Sequence, residues 1–236
     1  MISKQHRNLN WENIFQRFKE ISEGLRHIHE KGYYHKDFHS GNILNWVSDT
    51  WNKSMISDFG MSRPADDRDE KSLYGVIPFI APEVLRGKEF TKAADIYGFG
   101  MIMWEILSGE PPFIDREYDQ SLIIDICMKD LRPPIPKYAP EPYVTLMKGC
   151  WNPIPTNRPT AGQINHYWEL YNKLDNDYRH VSDDEDYDYD RVYCDYESFS
   201  KEREDQWKER LAERARNPRP LKESHNFFTS KRLDGM

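Results

Sequence analysis

The sequence predicts a mainly α-helical domain with a few short β-strands, followed by a disordered acidic tail. Three observations lead there. Ile14, Phe18, Ile21, Leu25 and Ile28 recur at spacings of 4, 3, 4 and 3, one apolar face of a long helix. From Ala93 to Leu107 the chain is apolar on nearly every side apart from Asp95 and Glu105, which marks a buried helix. After about residue 175 the composition shifts to charge and tyrosine.

Asn10 is a cap residue for a helix opening at Trp11, and Gly32 is a stop. Tyr33 to Asn42 is a polar loop with aromatic flanks. Ile43–Trp46 and Ser54–Ser57 read as two short strands joined by a polar turn. Residues 61–80 lack periodicity, and a loop that long inside a compact domain is usually functional. Thr91 caps the buried helix, and Gly109 with Pro111-Pro112 ends it. Further helices are expected over 116–129, 142–151 and 160–175, separated by proline-rich turns. The division is therefore a domain over 1–175 and a charged, low-order tail over 176–236. Within that tail Ser182–Asp190 is an acidic-tyrosine run, and 200–216 is at most a solvated helix.

Mean hydropathy is −0.89 over 236 residues, and the polarity is uneven. Residues 1–172 hold 20 Lys+Arg and 23 Asp+Glu, a net −3, whereas 173–236 hold 13 and 17, a net −4 in far fewer residues. With no basic excess, nucleic acid is not an expected partner. Cys127, Cys150 and Cys194 are odd in number and far apart, which reads as reduced thiols in an intracellular, cytoplasmic or nuclear protein. No apolar run has the length of a membrane span, and no signal-peptide core is visible at the N-terminus.

The chemistry-bearing residues cluster. His35-Lys36-Asp37-Phe38-His39-Ser40-Gly41-Asn42 places Asp37 four intervening residues from Asn42. Sixteen residues past Asn42 comes Asp58-Phe59-Gly60, and then Ala81-Pro82-Glu83. Such a set suits phosphoryl transfer, which asks for one carboxylate at the attacking hydroxyl and hard oxygen ligands for Mg²⁺.

In this order and spacing the motifs resemble the protein-kinase catalytic loop, metal loop and activation-segment end. The resemblance covers about residues 1–172 and is to the large C-terminal lobe, nearest the tyrosine-kinase-like group. Ile77-Pro78-Phe79-Ile80-Ala81-Pro82-Glu83 and the Cys150–Pro159 segment, Cys-Trp-x-x-x-Pro-x-x-Arg-Pro, support that placement. By this resemblance Asp37 orients and deprotonates the acceptor hydroxyl, and Asn42 and Asp58 bind Mg²⁺. Leu44 forms the floor beneath the ATP adenine. Glu83 pairs with Arg158, and Asp95 receives hydrogen bonds from the catalytic-loop backbone. Lys36, Ser72 and Tyr74 belong to the activation segment and its phosphate contact.

Departures from the family pattern are also legible. Lys36 stands where most kinases carry arginine, and it lacks the bidentate fork. His39 replaces the lysine usual in serine/threonine kinases, and Val76 the threonine expected after Gly75, which leaves serine/threonine against tyrosine preference open. His39 is expected to be a satisfied loop histidine. Upstream of Asn10 there is neither a glycine-rich loop nor a strand lysine, so the N-lobe is expected to be absent, or supplied by another segment or a partner chain. The implied function is ATP-dependent phosphorylation of a protein Ser/Thr or Tyr hydroxyl in intracellular signalling, weak or lacking in this chain alone. The alternative is a non-catalytic scaffold or pseudokinase module. A small-molecule phosphotransferase would share His-x-Asp-x-x-x-x-Asn, but Ala81-Pro82-Glu83 with Arg158 argues against it.

Overall fold

The computed structural model describes residues 10–47, 52–64, 74–177, 198–221 and 231–232. In chain order these form α1 (Trp11–Glu30), β1 (Tyr33–Tyr34), β2 (Ile43–Val47), β3 (Asn52–Ile56), β4 (Arg63–Pro64) and β5 (Tyr74–Gly75). Then come α2 (Pro82–Leu85), α3 (Lys92–Ser108), α4 (Gln120–Met128), α5 (Glu141–Cys150), α6 (Ala161–Asp177), α7 (Lys201–Arg216) and β6 (Lys231–Arg232).

α1 starts where the Asn10 side chain accepts the Asn13 N–H at 2.8 Å, satisfying a donor that the first turn leaves open. Gly32 follows its end at φ 77°. Its buried face carries Trp11, Ile14, Phe15, Phe18, Ile21 and Leu25 and packs on α6. α3 runs through the centre, buried from Ala94 to Glu105 without a break, and touches α5 and the 3₁₀ turn at Ile77–Phe79. Phe18 links these layers: its ring lies 5.3 Å from Trp168 and 5.6 Å from Phe99. α4 begins at Gln120 rather than at 116. Asp119 caps it, accepting the Leu122 N–H at 3.0 Å, while Phe113 at φ 57° keeps the preceding residues in a turn.

The sheets are three two-stranded antiparallel pairs, β1 with β4, β2 with β3, and β5 with β6. In the β2–β3 hairpin Ile43 opposes Ile56 and Leu44 opposes Met55. Ile43 turns inward, whereas Leu44, Trp46 and Met55 are exposed on the other face.

The low-order tail expected over 176–236 is corrected for its described part. α7 is capped by Ser200, whose Oγ accepts the Arg203 N–H, and it is docked. Trp207 and Leu211 are 0% exposed and Phe199 is 8% exposed. The Trp207 ring stacks on Trp11 at 4.6 Å and 7° between planes, and Leu211 fills the space above Gly109. The Glu204 carboxylate accepts the Trp11 N–H at 3.0 Å, which caps α1 from outside. Arg214 and Arg219 both reach Glu110 at 2.9 Å. Three apolar residues on one stripe are enough because each is large and meets a preformed aromatic surface. The acidic run at 182–190 lies outside the described residues. Among the described residues no helix is long and apolar enough to cross a membrane.

Candidate active site

The loop between β1 and β2 is held from below by α3. Asp95, 1% exposed, accepts the His35 N–H at 2.9 Å and the Lys36 N–H at 3.1 Å, and its Oδ2 lies 2.8 Å from His29 Nε2. These bonds fix Lys36 at φ 68°, a left-handed conformation that costs a non-glycine residue on the order of 1–3 kcal/mol. Gly98, one helical turn on, lets the loop sit directly on the helix. A Cβ there would lie 2.5 Å from the Phe38 carbonyl oxygen.

Above this support, Asp37 is 7% exposed, with Asn42 bonded to it and His39 beside it. Asn42 Nδ2 donates to the Asp37 carbonyl at 2.9 Å and to its Oδ2 at 3.2 Å. His39 Nε2 lies 3.4 Å from the same Oδ2. His39 Nδ1 accepts the Gly41 N–H at 3.1 Å, and its Nε2 also lies 3.3 Å from Asn42 Nδ2. His39 is therefore a partner of Asp37, a role the sequence does not reveal.

The hairpin register brings Asn42 next to Ser57, the residue before Asp58. Ile43 opposes Ile56, so Asn42 and Ser57 meet at the open end, where Ser57 N–H donates to the Asn42 carbonyl at 2.8 Å. Asp58 follows at φ 60°, exposed, its Oδ1 accepting the Gly60 N–H at 3.3 Å. His35 Nε2 donates to the Ser57 carbonyl at 3.0 Å, and its ring lies 5.4 Å from Phe59. The loop and the Asp58 turn are thus one unit, and His35 is the tie that sequence reasoning passed over. An amide oxygen and an exposed carboxylate are the hard donors that Mg²⁺ takes, so this end of the hairpin fits the ion. Leu44, 47% exposed, lies on the hairpin face beside it.

On the opposite flank, Gly75 at φ 138° passes close to the acid: a Cβ there would lie 3.7 Å from Asp37 Oδ1. Val76 is buried, and the cleft against Asp37 is lined also by Lys36, His39, Phe79 and Ile80. Tyr74 is in β5, and Ser72 lies outside the described residues. Ser62 Oγ reaches the His35 carbonyl at 3.4 Å.

Glu83 and Arg158 pair bidentately, both contacts 2.7 Å. Arg158 also donates to the carbonyls of Ala93 and Asn152, and its guanidinium lies 5.4 Å from the Tyr97 ring centre. Glu105, on the α3 face below His39, is 4% exposed. Burial pushes its carboxyl up to about 7, against the pull of the Ser40 hydroxyl and the His39 ring.

A helical body carrying an acid loop, a metal-type turn and a buried Glu–Arg tie defines a protein of the kinase class. The family model described as protein tyrosine and serine/threonine kinase matches residues 1–169, and the chain belongs to that family. It is 36% identical over 154 residues to mitogen-activated protein kinase kinase kinase 10 of Xenopus laevis, covering 61% of this chain and 15% of that protein. It is likewise 36% identical over 146 residues to mitogen-activated protein kinase kinase kinase 12 of Rattus norvegicus, covering 61% and 16%. A probable serine/threonine-protein kinase of Dictyostelium discoideum is 30% identical over 164 residues, covering 69% and 10%. The chain thus matches about a tenth to a sixth of the length of these relatives.

Proposed function

We propose that the described body is the C-terminal lobe of a protein kinase, and that it transfers the ATP γ-phosphate to a protein hydroxyl, serine or threonine by similarity to its relatives. The observation that carries this reading is the held carboxylate of Asp37, bonded by Asn42, flanked by His39 and Gly75, and set in a cleft lined also by Val76 and Phe79. Asp37 receives the acceptor hydroxyl proton as the new O–P bond forms and the bond to the departing ADP breaks. Asn42 and His39 fix the orientation of Asp37, and Asp95 fixes the loop that carries all three. Asn42 and Asp58 would hold Mg²⁺, which when bound neutralises charge on the polyphosphate. Leu44 supplies the apolar floor for the adenine.

Asp37→Asn and Asp58→Asn should each lower transfer to a protein acceptor at least about 100-fold in a radiolabelled-phosphate assay of the complete protein. Full activity in either variant would overturn the assignment. A second reading, a non-catalytic scaffold, is favoured by the bare face of Leu44, Trp46 and Met55. It gains if the complete protein transfers no phosphate even with β6 removed.

A further inference from the structure

Strand β6 lies at an unexpected place. Lys231 and Arg232, from the C-terminal segment, pair antiparallel with β5: Tyr74 opposes Arg232 and Gly75 opposes Lys231. Gly75 is the residue whose added Cβ would stand 3.7 Å from Asp37 Oδ1. Paired strands lie about 4.8 Å apart, so the tail backbone runs within a strand's width of the residue that borders the acid. An extended segment added to an exposed strand edge is bound by its main-chain hydrogen bonds, whatever its side chains.

We propose that this C-terminal strand occupies the edge along which an acceptor peptide must bind, so that the chain blocks its own acceptor site. The proposal rests on the kinase reading of Asp37. A two-residue pairing is weak alone, and the fold supplies what it lacks. α7 is anchored by Trp207, Leu211 and the two arginines on Glu110. Fourteen residues, 217–230, connect it to β6. A tether that short holds the strand at an effective concentration in the millimolar range. The occupant is thus available whenever α7 is docked, and an acceptor protein must displace it.

The test uses the full 236-residue chain and its Lys231→Pro/Arg232→Pro variant. Successive pairs in an antiparallel ladder alternate between bonded and non-bonded, so two prolines remove the donor whichever pair is bonded. Amide hydrogen exchange over Tyr74–Val76 should be about tenfold faster in the variant, with the α7 amides unchanged. A fluorescent synthetic peptide of residues 225–236 should bind the variant about tenfold more tightly than the unmodified chain, whose own strand competes. Equal exchange at Tyr74–Val76, or equal peptide affinity, would overturn the proposal. Protection that rises with protein concentration would also overturn it, by assigning the strand to a second copy. Neither readout requires phosphoryl transfer. A complete protein that carries both prolines, shows both changes and still phosphorylates no acceptor would refute the kinase reading while leaving the pairing in place.

Discussion

Arg158 shows how much one side chain can tie together. Its guanidinium meets Glu83, two backbone carbonyls and an aromatic ring, and it is fully enclosed. Removing it strands the Glu83 carboxylate in the interior, at a cost on the order of 3–5 kcal/mol. Arg158→Ala should therefore lower the melting temperature by several degrees or leave the chain unfolded, and an unchanged melting curve would contradict a buried pair. Glu105 gives the opposite lesson. Its folded pKa, about 7, lies above the ordinary carboxylate value of 4.5. The folded state then binds the extra proton between those values, so stability is fully present below about pH 4.5, falls as pH rises to about 7, and is flat above. Glu105→Gln keeps the neutral form at every pH. Its stability relative to the unmodified chain should rise between pH 5 and pH 8, by on the order of 3 kcal/mol, measured by denaturant titration at both. The residues Asp37, Asn42 and Asp58 were legible because their spacing is set by chemistry. The partnership of His39 with Asp37 was not, since it depends on which ring nitrogen the Gly41 N–H satisfies.

The helix α3 is where sequence pattern and structure agree most closely. An all-round apolar run predicts burial, and the helix is enclosed by α5, the 3₁₀ turn at 77–79 and the acid loop. Its glycines are invisible to that pattern, because close approach of two backbones leaves no periodic signal. Gly98→Ala would push a methyl into the Phe38 carbonyl, at a cost of about 1–3 kcal/mol, and would displace the loop that bears Asp37. The expected outcome is a loss of acceptor phosphorylation larger than the loss of stability explains, seen by comparing activity at a temperature where both proteins remain folded. Helix starts were read less well: α4 waits for the Asp119 cap because the chain before it is turned by Phe113.

Across the whole molecule the largest difference between sequence and structure is α7. Its composition is that of a solvated helix, and only Trp207 and Leu211, four residues apart, betray a buried stripe. Charge dominates the average, and no average can say that Trp11, Phe15 and Gly109 provide a matching surface. Limited proteolysis should consequently leave α7 protected along with the kinase-like body, rather than a core ending near residue 175. Trp207→Ala, which empties a fully enclosed indole site, should cost about 3–5 kcal/mol and make α7 cleavable. Cleavage of α7 in the unmodified chain at the rate seen in the variant would contradict docking.

The face-to-face indoles of Trp11 and Trp207, 4.6 Å apart, have an optical consequence. Two chromophores that close share their excited states. Release of α7 would separate them and remove that coupling, changing the near-ultraviolet circular dichroism and the emission of both rings together. The chain thereby carries its own spectroscopic gauge of whether its C-terminal helix is seated, readable without a label.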